Sequence, residues 1–593
     1  MKHLAFLALL SALAGLTRAA VLTPDVDAYI ENVLSSWNSP AGAAVAVVQL
    51  DPQGGWSVET KGYGVAQANG SKVTPETVFS IGSNSKLFDI LATGLLISNT
   101  SLEPQISWNT KIASILPGWE LADPVATAQS TITDLMSHRT GMPRHDFAYS
   151  RTDDVPTLIS RMKYLKPSTG FRENPQYSNL MYEFLSYLPT ALLPDHPAFT
   201  EYVKAHIIDP LGMNATTYST TDAFATGNFA DVFTRVDINV TDDPLGRGTV
   251  YPLPFPLESS AQGSALSGPG GILSNAIDMA TWLQMLLLNG KHPITGEIVV
   301  PASAIQTVAT GISVWEGNAQ FPEVTAQVYG GAQAQYGYRG HVIIEVSHFN
   351  SEASDPNLSI STEEISSVRF HAQVSRFPNE GLGIAVLTND DVFGTYMKEV
   401  IKYRIIDEAL GLESIDWNTR YRSIVSGARL SAPQALPPPA NATLPLPLTK
   451  FAAQNYSNPG YGPDIELCAV SQPASPTCSS LVSAINATFP EQLAGADLVW
   501  RWDRLSATYA ALTHYDGPVF NVSGWVPLQT RNVSVPTIAY DSGLEGVTAQ
   551  FDIHEGRVRG FGFVGGLWGS GTLEGEPSGK TAEERSEVWY SAV

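Results

Sequence analysis

Apolar residues run almost unbroken over positions 43–50, and the chain then breaks at Asp51-Pro52-Gln53-Gly54-Gly55 before a second extended stretch over 56–65. Two such runs around a Gly/Pro/Asp break predict a β-hairpin. Far along the chain, Gly383-Ile384-Ala385-Val386-Leu387-Thr388-Asn389 reads as a buried strand, preceded by another over 370–377. Helical patterns occupy the interval, over 87–97, 133–136, 180–193, 199–208 and 278–288, and one more lies over 396–410. Strands at both ends with helices between them imply one sheet assembled from distant segments, an α/β architecture. A proline-rich stretch then runs through Pro433, Pro437-Pro438-Pro439 and Pro445, and such a composition is extended. Beyond it, short apolar runs at 518–526, 546–553 and 558–564 recur between Gly, Asn and Asp turns, the pattern of a small all-β domain. The expected division is a leader over 1–19, an α/β domain over 20–425, a linker over 426–450 and a β-domain over 451–593. No repeat at solenoid periods is present.

The leader is expected because Met1-Lys2-His3, an apolar stretch over 4–16 and Thr17-Arg18-Ala19-Ala20 have the three regions of a secretory signal. No other segment reaches about 18 consecutive apolar residues, so the mature protein is expected to be exported, free of the membrane and extracellular. Ten Asn-x-Ser/Thr sites agree with a glycoprotein: Asn69, Asn99, Asn214, Asn239, Asn357, Asn441, Asn455, Asn486, Asn521 and Asn532. In an exported chain the two cysteines, Cys468 and Cys478, are expected to form one disulfide closing a short loop. Two cysteines and eleven scattered histidines offer no metal-ligand spacing, so neither a metal nor a cofactor is expected. A net charge of −23 argues against nucleic acid or an anionic membrane as partner. A small molecule is then the partner expected.

The chemistry is carried by Ser83-Asn84-Ser85-Lys86. A lysine three positions after a serine on a helix lies on the same face, within reach of the hydroxyl proton. Burial lowers a lysine's pKa and makes it a usable base. Two fixed residues recur by chance, and Ser160-Arg161-Met162-Lys163 also matches; it reads as mid-helix and takes a structural reading. Tyr177-Ser178-Asn179 supplies the second element, a hydroxyl to relay a proton and an amide to hold the lysine or a carbonyl. Its repeat at Tyr456-Ser457-Asn458 runs into a Pro-Gly turn and is read as structural. The glycines of Gly268-Pro269-Gly270-Gly271 allow either close approach of backbone to a substrate or a tight turn. There is no Gly-x-Ser-x-Gly elbow, which argues against an ordinary α/β-hydrolase.

With these motifs in order, the chain resembles serine β-lactamase-like proteins of the class C and penicillin-binding type, with their esterase and transesterase relatives. The similarity spans roughly 40–412 and includes Asp134-Leu135-Met136-Ser137-His138-Arg139-Thr140-Gly141-Met142-Pro143, Pro210-Leu211-Gly212-Met213 and Gly270-Gly271-Ile272-Leu273-Ser274. It implies a β-lactamase/transpeptidase-like fold, an antiparallel sheet flanked by helices with a helical subdomain. The appended β-domain is similar to that of fungal secreted members. The resemblance also implies catalysis by Ser83 as nucleophile, Lys86 and Tyr177 sharing the proton, and Asn179 orienting. The family's third element, Lys-Thr-Gly or His-x-Gly on a strand, is missing where expected. Between Glu345 and Phe370 lies a polar stretch with His348 but no following glycine, and the only His-x-Gly, His554-Glu555-Gly556, reads as a hairpin turn. Either a translated intron or a genuine replacement accounts for 346–369. The reading is a secreted serine hydrolase of small esters, amides or lactams. The alternatives are a transesterase of secondary metabolism and a glycoprotein weakened or inactive as an enzyme.

Overall fold

The computed structural model describes residues 20–51, 53–255, 259–346, 369–432, 437–530, 534–569 and 577–593. The expected leader lies outside them, as does the 347–368 segment with His348. Eight strands build the first sheet: β1 (Gly42–Leu50), β2 (Trp56–Gly64), β3 (Ser313–Glu316), β4 (Gln327–Tyr329), β5 (Ala334–Tyr338), β6 (His341–Val346), β7 (His371–Phe377) and β8 (Leu382–Thr388). They pair antiparallel in the order β2-β1-β8-β7-β6-β5-β4-β3. The predicted hairpin is β1–β2, and the distant apolar run forms β8, which pairs with β1 from Ala43↔Thr388 to Gln49↔Leu382.

Successive side chains of a strand point to opposite faces, and β1 uses both. Ala43, Val45 and Val47 join one core with Val26, Ile30, Met397 and Ile401, whereas Ala44, Ala46 and Val48 join the other with Phe88, Met279 and Leu283. Helices α1 (Pro24–Ser36), α2 (Ser85–Ser98), α4 (Ala276–Leu287) and α5 (Gly394–Leu410) supply those partners, while α3 (Asn179–Ser186) adds Leu180 and Phe184 to the second core and α6 (Trp417–Ser431) adds Trp417 and Tyr421 to the first. Helices α1, α5 and α6 cover one face of the sheet and α4 the other, making three layers. Phe88 of α2 stacks on Trp282 of α4 with ring centroids 3.7 Å apart, which anchors the site-bearing helix to the sheet layer.

Two expectations are adjusted. The helix expected over 180–193 is split into α3 and Leu188–Leu192, because Pro189 has no N–H to continue the ladder. Helix α6 runs on to Ser431, past the point where the linker is expected to begin. Its amphipathic side, with Trp417, Tyr421 and Val425 buried, outweighs the approaching prolines.

The remainder folds on a second antiparallel sheet of ten strands, from Asn455–Ser457 to Val588–Ala592. The Cys468–Cys478 disulfide ties its strand Cys468–Ala469 to the helix Pro476–Thr488. The two sheets meet across a shared core in which Phe147 stacks on Trp502 at 5.3 Å. Among the described residues no helix is long and apolar enough to cross a membrane.

Asp390, just after β8, holds the sheet's end. Its carboxylate accepts from the Ser39 hydroxyl (2.6 Å) and the N–H groups of Val392 (3.1 Å) and Phe393 (2.9 Å), and it pairs with Arg235. Both charged side chains are fully buried. Removing one partner of a buried pair leaves the other charge uncompensated, at a cost of about 3–5 kcal/mol. Asp390→Ala is therefore expected to lose that much in denaturant unfolding, and a change below about 1 kcal/mol would contradict the assignment.

Candidate active site

Ser83 is presented by a forced turn. The short strand Phe79–Ser80 pairs with Leu273–Ser274, and the chain then reverses at Gly82, whose φ of +50° is the left-handed conformation that glycine adopts without strain. Residues Gly82–Asn84 make one 3₁₀ turn, and α2 begins at Ser85, so Ser83 sits immediately before the helix and not within its first turn. The Asn84 amide donates to Ile81 O (3.0 Å) and to Ala372 O of β7 (3.3 Å), and Ile272 N–H donates to Ser85 Oγ (3.0 Å). The turn is thus tied on both sides.

Lys86 is buried beneath it. Its Nζ lies 3.0 Å from Ser83 Oγ, 2.8 Å from Asn179 Oδ1 and 2.9 Å from Pro269 O. Tyr177 Oη lies 2.6 Å from Ser83 Oγ, and its ring faces the amine with the centroid 4.7 Å away. The four residues expected from the sequence, Ser83, Lys86, Tyr177 and Asn179, therefore meet at one point. Burial pulls the Lys86 pKa below its ordinary value, and the Arg144 guanidinium adds to this, while Tyr177 and Asp146 oppose it.

The segment following the Asp134–Pro143 phrase adds groups that spacing alone does not reveal. Arg144 lies over the Tyr177 ring, 5.1 Å from its centroid, and pairs with Asp146 at 2.7 Å. Asp146 also accepts from the Asn179 amide (3.2 Å) and the Tyr149 hydroxyl (2.6 Å), which fixes the orientation in which Asn179 turns its oxygen to Lys86. His138, inside that phrase, packs its ring 4.7 Å from that of Tyr177 and accepts from Ser178 N–H at 3.2 Å. Burial holds its pKa well below the usual range, with Lys86 and Arg144 adding to it, so it is a neutral ring against which Tyr177 rests.

Behind Lys86 are two buried acids. Asp89, one turn along α2, has no hydrogen-bond partner on either oxygen among the described residues, and burial raises its pKa well above normal, with the Glu183 charge adding and Lys86 opposing. Glu183 of α3 accepts from Leu266 N–H at 3.1 Å, and burial pushes its pKa up to about 8. Gly268 meets this layer: a Cβ there would lie 2.5 Å from Ser186 Cβ and 2.8 Å from Asp89 Oδ2. Beside the two roles expected of these glycines, Gly268 serves a third, close packing that brings Pro269 O to Lys86.

The decoys fall elsewhere. Ser160 is exposed and donates to Thr157 O, while Lys163 pairs with Glu120 on the surface. Tyr456 is buried in the second sheet's core with its hydroxyl on Phe451 O, and His554-Glu555-Gly556 turns the hairpin between Thr548–His554 and Arg557–Val564. The place expected for the third element, after Glu345, lies outside the described residues beyond Val346 of β6. Among the described residues no group of three or more His, Cys, Asp or Glu could hold a metal ion. Ser83 opens onto a cavity of about 190 Å³, also lined by Arg144, Phe255, Leu266, Phe370 and Leu505.

Against known proteins, a family model described as beta-lactamase matches residues 38–405. The unguisins hydrolase of Aspergillus campestris is 29% identical over 464 residues, covering 74% of this chain and 77% of that protein. The protein of the same name from Aspergillus violaceofuscus is 26% identical over 467 residues, covering 74% and 76%. Among solved structures, the octameric penicillin-binding protein homologue from Pyrococcus abyssi is 16% identical with a TM-score of 0.49, covering 91% of this chain and 95% of that one.

Glu183 makes the site's stability depend on pH. Its folded pKa of about 8 stands above its ordinary value of 4.5, so the neutral form is favoured in the fold. That contribution is complete below about pH 4.5 and is lost as pH rises through 8. Glu183→Gln keeps an acceptor for Leu266 N–H and cannot ionise. Between pH 5 and pH 8 the denaturant midpoint is expected to fall further in wild type than in the variant; equal falls would contradict the assignment.

Proposed function

The chain belongs to the beta-lactamase family, and we propose that it is a hydrolase working through an acyl group carried on Ser83. The observation that carries this is the seat of Lys86, whose amine touches Ser83 Oγ, Asn179 Oδ1 and Pro269 O and, among the described residues, nothing anionic at hydrogen-bond distance. A neutral amine has two N–H donors and one lone pair. Asn179 Oδ1 and Pro269 O take the two donors, leaving the lone pair to accept from the Ser83 hydroxyl. The Tyr177 hydroxyl then donates to Ser83 Oγ. On attack, the serine proton passes to Lys86 and Oγ bonds to the substrate carbonyl carbon. Collapse of the tetrahedral intermediate expels the leaving group, which takes a proton through Tyr177. The Ser83 N–H, at the start of α2, is the expected donor to the carbonyl oxygen as it becomes negative, a role whose loss typically costs about 10²–10³ in rate. Water, or an alcohol in a transesterase, releases the acyl group by the reverse proton path.

The names of the two Aspergillus relatives, both unguisins hydrolases, support hydrolysis over transfer. Small esters, amides and lactams are the chemical class. Export and glycosylation are part of the same reading. The disulfide supports them, as does the exposure of Asn69, Asn214, Asn239, Asn441, Asn455 and Asn486. Asn99 and Asn521 are partly exposed, and Asn357 and Asn532 lie outside the described residues.

A fluorophosphonate probe tests the nucleophile. Wild type is expected to be labelled, Ser83→Ala not at all, and Lys86→Ala at a rate lower by about 10²–10⁴. Folded wild-type protein that resists the probe would overturn the reading in favour of a non-catalytic glycoprotein.

A further inference from the structure

The cavity in front of Ser83 is not closed by the first sheet and its helices alone. Leu505 and Ser506, which link the second sheet's strands Leu498–Arg504 and Ala507–Asp516, line it together with Ser83 and Asn179. Both are almost fully buried, so they are a wall and not a rim.

Their position is secured from both sides. Leu505 N–H donates to Tyr149 O (3.1 Å), Arg504 Nη1 to Ala148 O (3.4 Å), and Trp502 stacks on Phe147. These three acceptor and stacking residues belong to the segment that carries Arg144 and Asp146 into the site. The other end of that segment is held by a second turn of the same sheet region. His145 N–H donates to Trp568 O (2.9 Å) and Arg144 N–H to Gly569 O (3.4 Å), and His145 Nδ1 lies 2.8 Å from Tyr461 Oη. Gly569 has φ +66°, and a Cβ there would stand 2.8 Å from Arg144 Cδ, so the turn lies directly on the arginine side chain. Glu587 fixes this turn by accepting from the N–H groups of Gly565 (2.9 Å), Gly566 (2.7 Å) and Trp568 (3.2 Å).

We propose that the second sheet is a specificity element of the acyl site, with Leu505 and Ser506 setting the length of acyl chain that fits against Ser83. This rests on the hydrolase reading above. The wall combines Leu505 with Phe255, Leu266 and Phe370 from the first part of the chain, giving an apolar lining suited to an alkyl or aryl acyl group. In such a pocket one methylene changes selectivity by about 10–200-fold. Among the described residues the partners of the Lys86 amine and the Ser83 hydroxyl do not include Leu505 or Ser506, so the proposal gives these two a role in fit and not in proton transfer.

The test uses the full chain and two p-nitrophenyl esters, acetate and octanoate. Leu505→Ala enlarges the cavity and is expected to raise the octanoate-to-acetate ratio of kcat/KM by about tenfold or more, through KM. Ser506→Val fills it and is expected to lower that ratio. Opposite shifts, with fluorophosphonate labelling of Ser83 and the pH profile of acetate turnover unchanged, support the proposal; a purely structural role would move both variants the same way. A ratio within about twofold of wild type in a folded, labelled variant overturns it, and either variant suffices. Failure of wild type to label at Ser83 is a different result, which overturns the hydrolase reading and this one with it.

Discussion

An amine taken out of water must either shed its charge or find one opposite to it, and burial draws Lys86 toward the first course. The cost of burying an unpaired ammonium is many kcal/mol, so two neutral acceptors and a hydroxyl around it favour the uncharged amine. Those partners come from three separated stretches, at Ser83, Asn179 and Pro269. The fold's layers hold them together in this region: α2 is pinned by Phe88 on Trp282, α3 begins at Asn179, and Gly268 lets the Ser267–Gly270 turn close on both. Asp89 and Glu183 obey the same constraint from below. Were either ionised at neutral pH, it would draw the amine back toward its charged form.

Period and spacing make much of this legible in the sequence. The two-residue period is weak in β1 and β8 because both faces are covered, yet the unbroken apolar runs mark them as central strands. Ser83 and Lys86 differ from Ser160 and Lys163 in their surroundings, a buried helix in one case and a solvated surface in the other. Arg144, Asp146 and His138 carry no such signal of role. A guanidinium that lies over a tyrosine, or a carboxylate that orients an amide, is defined by contacts between distant segments and leaves no repeat in the sequence. Leu505 is harder still, since a single leucine between two strands reads as core. The extent of α6 is hidden for a local reason: prolines after Ser431 suggest an early end, whereas buried Trp417, Tyr421 and Val425 hold the helix beyond it.

The two sheets serve one cavity in different ways. The first supplies reactive groups through elements anchored in its own layers. The second brings none of Ser83, Lys86, Tyr177 and Asn179; it presses two turns against the Arg144–Tyr149 stretch and leaves Leu505 lining the cavity in front of Ser83. Such a division separates the demands on the two parts. Chemistry constrains the Lys86 seat to a few residue types, while a wall needs only the right volume.

The pairing of β1 with β8 has a consequence for how the polypeptide is made. Ala43 lies against Thr388 in the interior of the sheet, so β1 waits without its second neighbour until the ribosome has delivered the far strand. At ~5–20 residues per second that delay is roughly twenty to seventy seconds. Throughout it, a strand of Ala, Val and Leu has only β2 beside it, a template open to the same strand on another nascent chain. The same pairing that closes the finished sheet thus leaves an open strand edge for the whole of synthesis, a demand on biogenesis distinct from equilibrium stability.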